Sequence, residues 1–592
     1  MQWRSKTKIL SQEEMKLTTK QHDLRILEKT RTRNLEYAVA VFRGRLFVMT
    51  IGISAIFLLL VVRIFHLSLL SRDDVKLHNK ESTEDFRVLR ADIIDAHGEI
   101  LATNITTASL YANPRELLDV YQAAKQLSQI FPMMKENSIL SKLRVNKNFS
   151  WIKRHLTPQE QQKVHDLGIP GLYFINDEKR VYPHTNLFSH VLGFTGIDGG
   201  GLSGVELYFD KRLAGSPQEP LQLSLDSRVQ SIVHEELEEA IQANEAIGGA
   251  GLVMHAKSGE ILSMVSLPDF NPHNVDEASE EERFNKISLG TYEIGSVLKL
   301  ATTASALDIG CVTVNDGFNV SAPLQVAKFK IHDYKGKGGE LSVPEILMYS
   351  SNIGTGQIAT LIGVKKQREY LKRFGLLDKL SIELPEVGSP QYPSLKRWNE
   401  VSLVTISYGH GIAFTPLHMA QAFASIINEG ILVKPTLLKS KAEASPATDR
   451  TSRLIDPNTS LLMRKLLRLV VTSGSGRSAE VKGYFVGGKS GTAEKIIGNK
   501  YSKNANLSSF VAAYPIYDPQ YLVFIMIDEA KRNEYNGGQL SGGAIASPVV
   551  GKIVKRISSV LNMTPNMNDR RVHEQLFLKY KPRYKWTKVE SQ

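Results

Sequence analysis

Thr291-Tyr-Glu-Ile-Gly-Ser296-Val-Leu-Lys299-Leu300 sets a serine and a lysine three positions apart, directly ahead of a run of helix formers and small residues at 300–308. Read as a helix start, the stretch predicts Ser296 in the first turn and Lys299 on the same face one turn on. A hydroxyl at a helix N-terminus beside an amine has the makings of an activated nucleophile. The amine can take the proton, and the helix dipole favours the anion. The spacing alone is not decisive, because Ser5 and Lys8 repeat it in a basic tail. What matters is whether the rest of the chain builds a site around Ser296.

The chain has 592 residues, enough for about two to four domains. Its one cysteine, Cys311, excludes an intrachain disulfide framework and a multi-cysteine zinc site. The net charge of +12 invites a nucleic-acid reading, but the charge sits at the ends. Eleven Lys/Arg face five Asp/Glu before residue 46, and a second basic cluster spans 570–588. The middle is nearly balanced, so no basic recognition face is expected and nucleic acid is set aside.

Residues 1–45 read as a basic cytoplasmic tail. Residues 46–62 carry no charge, and a further apolar run follows Arg63. This predicts a transmembrane helix over 46–66, long enough for a hydrocarbon core of about 30 Å if Arg45 and Arg63 snorkel. The apolar stretch is too long, and its leading segment too long, for a cleaved signal peptide. The charge asymmetry places the N-terminus inside and the body outside.

Residues 67–215 read as a mixed α/β N-terminal pedestal, dimerisation-like domain, with helices at 117–131 and 157–167 and strand-like stretches about a turn at Ala96-His97-Gly98. A strand is expected at 190–195 and a helix at 205–213. Gly199, Gly201 and Gly204 match G-x-G-x-x-G, but Gly215 to Pro220 breaks the crossover that a dinucleotide-binding unit needs. Residues 216–565 read as one α+β domain, followed by a basic C-terminal tail at 566–592. An amphipathic helix at 227–244, a strand pair at 251–255 and 260–266, and a second pair at 507–514 and 521–528 are expected. A final helix at 547–561, with Ser547 as N-cap, completes an antiparallel sheet between helices. A largely helical insert at about 275–470 faces it.

Two further motifs follow the first in order: Ser350-Ser351-Asn352, then Lys489-Ser490-Gly491-Thr492 preceded by Gly487-Gly488. Each has decoys, at 502–504 and 257–259, yet together they match the S-x-x-K, S-x-N and K-[ST]-G set of penicillin-binding proteins and class A β-lactamases. In that set Ser296 attacks a carbonyl, and Lys299, desolvated near a second cation, acts as general base. Lys489 supplies that cation and can pair with a substrate carboxylate. Ser350 relays a proton, and Asn352 binds a substrate amide and Lys299. The glycines let a strand edge approach a peptide-like substrate, with Ser490, Gly491 and Thr492 on the binding edge. The N–H groups of Ser296 and Thr492 would form the oxyanion hole.

At these residues the chain resembles a class B penicillin-binding protein, a peptidoglycan D,D-transpeptidase. Residues 90–102 (Arg90-Ala-Asp-Ile-Ile-Asp95-Ala-His-Gly98), Arg180-Val-Tyr-Pro183 and Gly201-Leu-Ser-Gly204-Val-Glu206 are similar to the family's N-terminal stretches. Ile406-Ser-Tyr-Gly409-His-Gly411, Val471-Thr-Ser-Gly474-Ser-Gly476 and Gly483 to Lys489 look most like the division-specific FtsI-type branch. Four departures stand out: Ile294 where proline is usual, Ala91 for glycine, Ala96-His97 for an Arg-Asn-type pair, and Ser490 for threonine.

The resemblance implies a single-pass protein of the bacterial inner membrane, periplasmic and septal, without metal or cofactor. Ser296 would form an acyl-enzyme with D-Ala-D-Ala stem peptides and be acylated by β-lactams. A separate FtsW-like glycosyltransferase and other division proteins would be its partners. The residues leave open an elongation-specific enzyme, a D,D-carboxypeptidase or β-lactamase using water as acceptor, and a non-catalytic β-lactam-binding scaffold.

Overall fold

The computed structural model describes residues 49–63, 90–334, 336–440, 452–497, 500–567 and 569–584, in two compact units divided after Asp85. In the first unit residues 49–63 are helical, with exposed side chains. Among the described residues no helix is long and apolar enough to cross a membrane. The ends of the span expected at 46–66, and the whole tail at 1–45, lie outside the described residues.

The second unit begins with a sheet of β1 (Ile93–Ile94), β2 (Ile100–Ala112), β3 (Ser150–Leu156), β4 (Leu172–Val181) and β5 (Leu221–Gln222). The long β2 pairs with β1, β3 and β4. Its Leu110 and Ala112 pack against Ala123 and Leu127 of the helix Val120–Ile130. Asp119 caps that helix, accepting from the N–H groups of Tyr121 and Gln122. Thr157 and Glu160 form a capping box at the helix Pro158–Asp166.

Three distant segments meet at the buried carboxylate of Glu206. It accepts from Arg90 Nε at 2.6 Å and from Arg180 Nε at 2.7 Å. Arg90 also reaches Asp210 Oδ1 at 2.8 Å. Burial of such charges is tolerable only with this degree of pairing. The turn at Ala96-His97-Gly98 is held by Asp95, which accepts from the N–H groups of His97 and Glu99 and from Ser227, the first residue of the next long helix.

Two expectations fail in this region. Residues 189–192 form a short helix, not a strand, ending at Gly193. With φ +72 there, a Cβ would stand 2.0 Å from the carbonyl oxygen of Ser203, so the chain turns where a strand would continue. The helix expected at 205–213 breaks at Phe209 into Gly204–Tyr208 and Asp210–Gly215.

A second sheet, antiparallel, is made of β6 (Gly248–His255), β7 (Ile261–Leu267), β8 (Gly487–Ile497), β9 (Lys500–Tyr514) and β10 (Tyr521–Asp528), ordered β8-β9-β10-β6-β7. On one face lie the helices Ser227–Ala243 and Ala546–Val560, through Val233, Leu237, Val550 and Ile553. The other face joins a core with Ile294, Leu298 and Phe423. The last long helix starts one residue early, with Ile545 at the cap position. Ser547 does not cap it; its hydroxyl is buried and donates to the Gly476 carbonyl. A further helix, Arg570–Leu576, lies within the stretch read as a tail, anchored by Val572 and Leu576.

Candidate active site

The first motif does not open an α-helix. Gly295–Leu298 is a 3-10 turn, and the α-helix runs from Lys299 to Ile309, so Ser296 stands one turn ahead of its expected position. Packing against β8 is the cause. Gly295 takes φ +61, and a Cβ there would lie 2.3 Å from the Thr492 carbonyl oxygen. A Cβ on Gly491 would lie 2.4 Å from the Ile294 carbonyl oxygen. Only glycine lets two backbones approach this closely. Ile294 is a buried core residue with φ −86 and ψ −1, close to the φ of about −65° that a proline would impose.

The second motif lies at a break between helices. Val343–Tyr349 ends at Ser350, whose φ of +60 is left-handed, and Ser351 then caps the helix Asn352–Arg373. This conformation is uncommon for a residue with a side chain and needs support from its surroundings. It brings Ser350 Oγ between two amines, 3.2 Å from Lys299 Nζ and 3.0 Å from Lys489 Nζ. Lys299 also donates to the Ser350 carbonyl at 2.5 Å and to Asn352 Oδ1 at 2.7 Å. Lys489 donates to the Ser490 carbonyl at 2.8 Å.

Both lysines are fully buried. Burial pushes Lys299 well below the ordinary lysine range, and the Lys489 charge pushes it further. Burial brings Lys489 down to about 7. A lysine that loses its proton this readily can serve as a base near neutral pH. Above the pair opens a cleft of about 1190 Å³ walled by Ser296, Ser350, Asn352, Ser490 and Thr492, among others. The five motif positions of the first two motifs and β8 therefore converge on one cavity, with the lysines beneath its floor.

Sequence reasoning missed several participants. Asp333, on a loop after the strand Phe329–Ile331, accepts from Ser351 Oγ at 2.8 Å and from the N–H groups of Asn352 and Ile353 at 2.5 and 3.0 Å. It also opposes the downward shift of Lys299. Ser475 Oγ lies 2.9 Å from Ser490 Oγ, and Gly542 N–H donates to Thr492 Oγ1 at 3.0 Å. Asp333 and Gly542 have no spacing that marks them, and Ser475 lies in the stretch Val471 to Gly476, which only the family resemblance marks. His410 lines the cleft and is held neutral, its pKa lowered to about 4 chiefly by burial. Among the described residues no His, Cys, Asp and Glu cluster suits a metal ion.

Residues 249–555 match the family described as penicillin binding protein transpeptidase domain, and 86–245 match the penicillin-binding protein dimerisation domain. A probable peptidoglycan D,D-transpeptidase FtsI of Caulobacter vibrioides is 33% identical over 80% of this chain and 82% of its own. The stage V sporulation protein D of Bacillus subtilis is 30% identical over 90% of this chain and 88% of its own. Penicillin binding protein 3 of Mycobacterium tuberculosis, solved with aztreonam, shares the fold. Its TM-score is 0.64 at 22% identity, over 81% of this chain and 98% of that one.

Proposed function

The chain belongs to the penicillin-binding protein transpeptidase family, and from that membership we propose that it cross-links peptidoglycan stem peptides through an acyl-enzyme on Ser296. The observation that carries this reading is the shared hydrogen bonding of Ser350 Oγ by Lys299 and Lys489, which offers a proton route beneath the cleft. In the first step Ser296 Oγ bonds to the carbonyl carbon of the penultimate D-Ala, and the serine proton passes to neutral Lys299. The amide C–N bond then breaks, and the proton returns through Ser350 to the nitrogen of the departing D-Ala. In the second step an amine of a neighbouring stem peptide attacks the ester. Ser296 leaves and recovers a proton, and an amide cross-link remains.

Asn352 orients the donor amide. Ser490, Gly491 and Thr492 form the strand edge on which the peptide lies, and the N–H groups of Ser296 and Thr492 stabilise the oxyanion. β-Lactams, as cyclic amides of similar shape, acylate the same serine; the aztreonam complex of the structural neighbour supports this.

We further propose that 46–66 is a single membrane span between a cytoplasmic tail at 1–45 and a periplasmic body, divided into a pedestal at 67–215 and a transpeptidase domain at 216–565. The helix at 49–63 and the basic charge before it support that topology. The FtsI-type name of one relative favours a septal role beside an FtsW-like glycosyltransferase, although a sporulation protein is nearly as similar.

Mass spectrometry of the full chain after exposure to penicillin tests the reaction. One adduct on the peptide containing Ser296, lost in Ser296→Ala with the unfolding curve unchanged, is expected. An adduct elsewhere, or one that survives the substitution, overturns the assignment.

A further inference from the structure

The C-terminal segment, beyond the matched family regions, does not behave as a loose tail. After the helix Arg570–Leu576 the chain runs on as an extended strap to Tyr584, with Leu578, Tyr580, Arg583 and Tyr584 partly buried and Lys579 and Lys581 exposed. Leu578 packs against the main core. The N–H of Lys581 donates to Asn315 Oδ1 at 2.9 Å.

The strap's far end closes on the helix that precedes Ser350. Glu345, buried in that helix, accepts from Ser342 N–H and Oγ at 2.9 and 2.6 Å. Its carboxylate also accepts from the N–H groups of Arg583 and Tyr584, each at 3.0 Å. Removing the strap would therefore strip a buried carboxylate of two of its four hydrogen bonds, a costly loss for a charged acceptor. Arg583 also pairs with Glu340 at 3.2 Å.

The aromatic ring of Tyr584 packs edge-on against Tyr349 at 5.7 Å, with Lys337 Nζ 5.1 Å above the Tyr349 ring. Glu345 and Tyr349 are four residues apart, so they share one helical face, and the strap covers that face. Tyr349 lines the cleft, and the next residue is Ser350 in its left-handed conformation.

We propose that the strap 577–584, and Tyr584 in particular, is a positioning element that fixes the end of the helix Val343–Tyr349 and thereby holds Ser350 between the two lysines. The proposal rests on the acyl-transfer reading of the site. The strap touches neither substrate nor reacting atoms. It acts through Glu345 and Tyr349, which set where the left-handed turn falls. The strap lies outside residues 249–555, the stretch matched to the transpeptidase family.

The test uses the full chain, a version ending at Leu576, Tyr584→Ala and Tyr584→Phe, each mixed with a fluorescent penicillin. Burst amplitude counts competent sites, and the dependence of rate on drug concentration separates the noncovalent dissociation constant from the acylation rate constant. The expected result is an acylation rate constant at least tenfold lower in the truncated chain and three- to tenfold lower in Tyr584→Ala. The dissociation constant should be unchanged, and Tyr584→Phe should restore the rate. A loss confined to amplitude would mean general destabilisation and would overturn the proposal, as would wild-type rates in both shortened and Ala forms. If truncation prevents folding, the Ala and Phe pair decides alone. An unaltered chain that forms no adduct overturns the acyl-transfer reading and this proposal with it; normal acylation with an unaffected Tyr584→Ala overturns this proposal only.

Discussion

Lys489 Nζ lies 3.0 Å from Ser350 Oγ, while Lys299 Nζ approaches the same oxygen at 3.2 Å. One hydroxyl thus links two buried amines whose proton affinities are both depressed. Removing it leaves two buried donors short of an acceptor and cuts the route between them. Ser350→Ala should lower penicillin acylation by about 10²–10⁴-fold, the range for losing an acid–base participant. Stopped-flow fluorescence measures this; a loss below threefold would mean that protons bypass Ser350.

The charge of Lys489 should be visible in the pH dependence. Its presence favours neutral Lys299, so Lys489→Met should move the acid limb of the acylation profile to higher pH. Stability gives a second readout. Between about 7 and the ordinary lysine value, folded Lys489 has released a proton that the unfolded chain still holds. The unfolded state then binds more protons, so stability rises with pH across that window. Below about 7 both states are protonated and this contribution stops changing. Chemical denaturation at several pH values should show a shallower rise for Lys489→Met than for the unaltered chain.

Asp333 acts in the opposite sense. Asp333→Asn keeps an oxygen able to accept from Asn352 and Ile353 but removes a negative charge that favours protonated Lys299. The acid limb should move to lower pH, opposite to Lys489→Met. The same profile measurement decides it: an unmoved limb would mean that Asp333 only caps the helix.

These residues also mark how far sequence carries. The strand Tyr521–Asp528 and the helix Ser227–Ala243 were legible because their apolar periods are strong and each packs one face on a large core. Lys299, Ser350, Asn352 and Lys489 were legible as ordered motifs, and the structure brings them into hydrogen-bond contact. Asp333 was not, since it reaches its partners from a loop with no periodic signature. The 3-10 turn at Gly295 was not either, because a backbone contact with β8, distant in sequence, decides it over local helix propensity. The strap was hidden by its basic composition, which suggests a solvated tail. Its hold comes from backbone amides and alternate apolar side chains.

Gly295 should be among the least tolerant positions. An alanine there would need φ +61 and would place Cβ 2.3 Å from the Thr492 carbonyl. Strain and overpacking together predict a loss of roughly 2–5 kcal/mol for Gly295→Ala. The turn and β8 must separate for it to fit, so acylation should fail even where the protein stays folded. Near-normal labelling by fluorescent penicillin at unchanged stability would show that the close approach is not required.

Glu206 should act on the stability of the N-terminal sheet and not on the chemistry. Its carboxylate is shared by Arg90 at 2.6 Å and Arg180 at 2.7 Å, both nearly without solvent contact. Glu206→Ala would leave the buried Arg180 without a carboxylate partner and Arg90 with Asp210 alone, a loss of about 3–5 kcal/mol. Glu206→Gln retains oxygen and shape but not charge, so it should fall between Ala and the unaltered chain. Calorimetry should register the loss as a lower unfolding temperature, while the acylation rate per competent site stays near normal. That division follows from geometry: Arg90, Arg180 and Glu206 join the segments around β1, β2 and β4, whereas Ser350 and its lysines join the helices to β8. An acylation rate that falls in parallel with stability would show instead that the Glu206 ion cluster and the Ser350 turn are mechanically coupled.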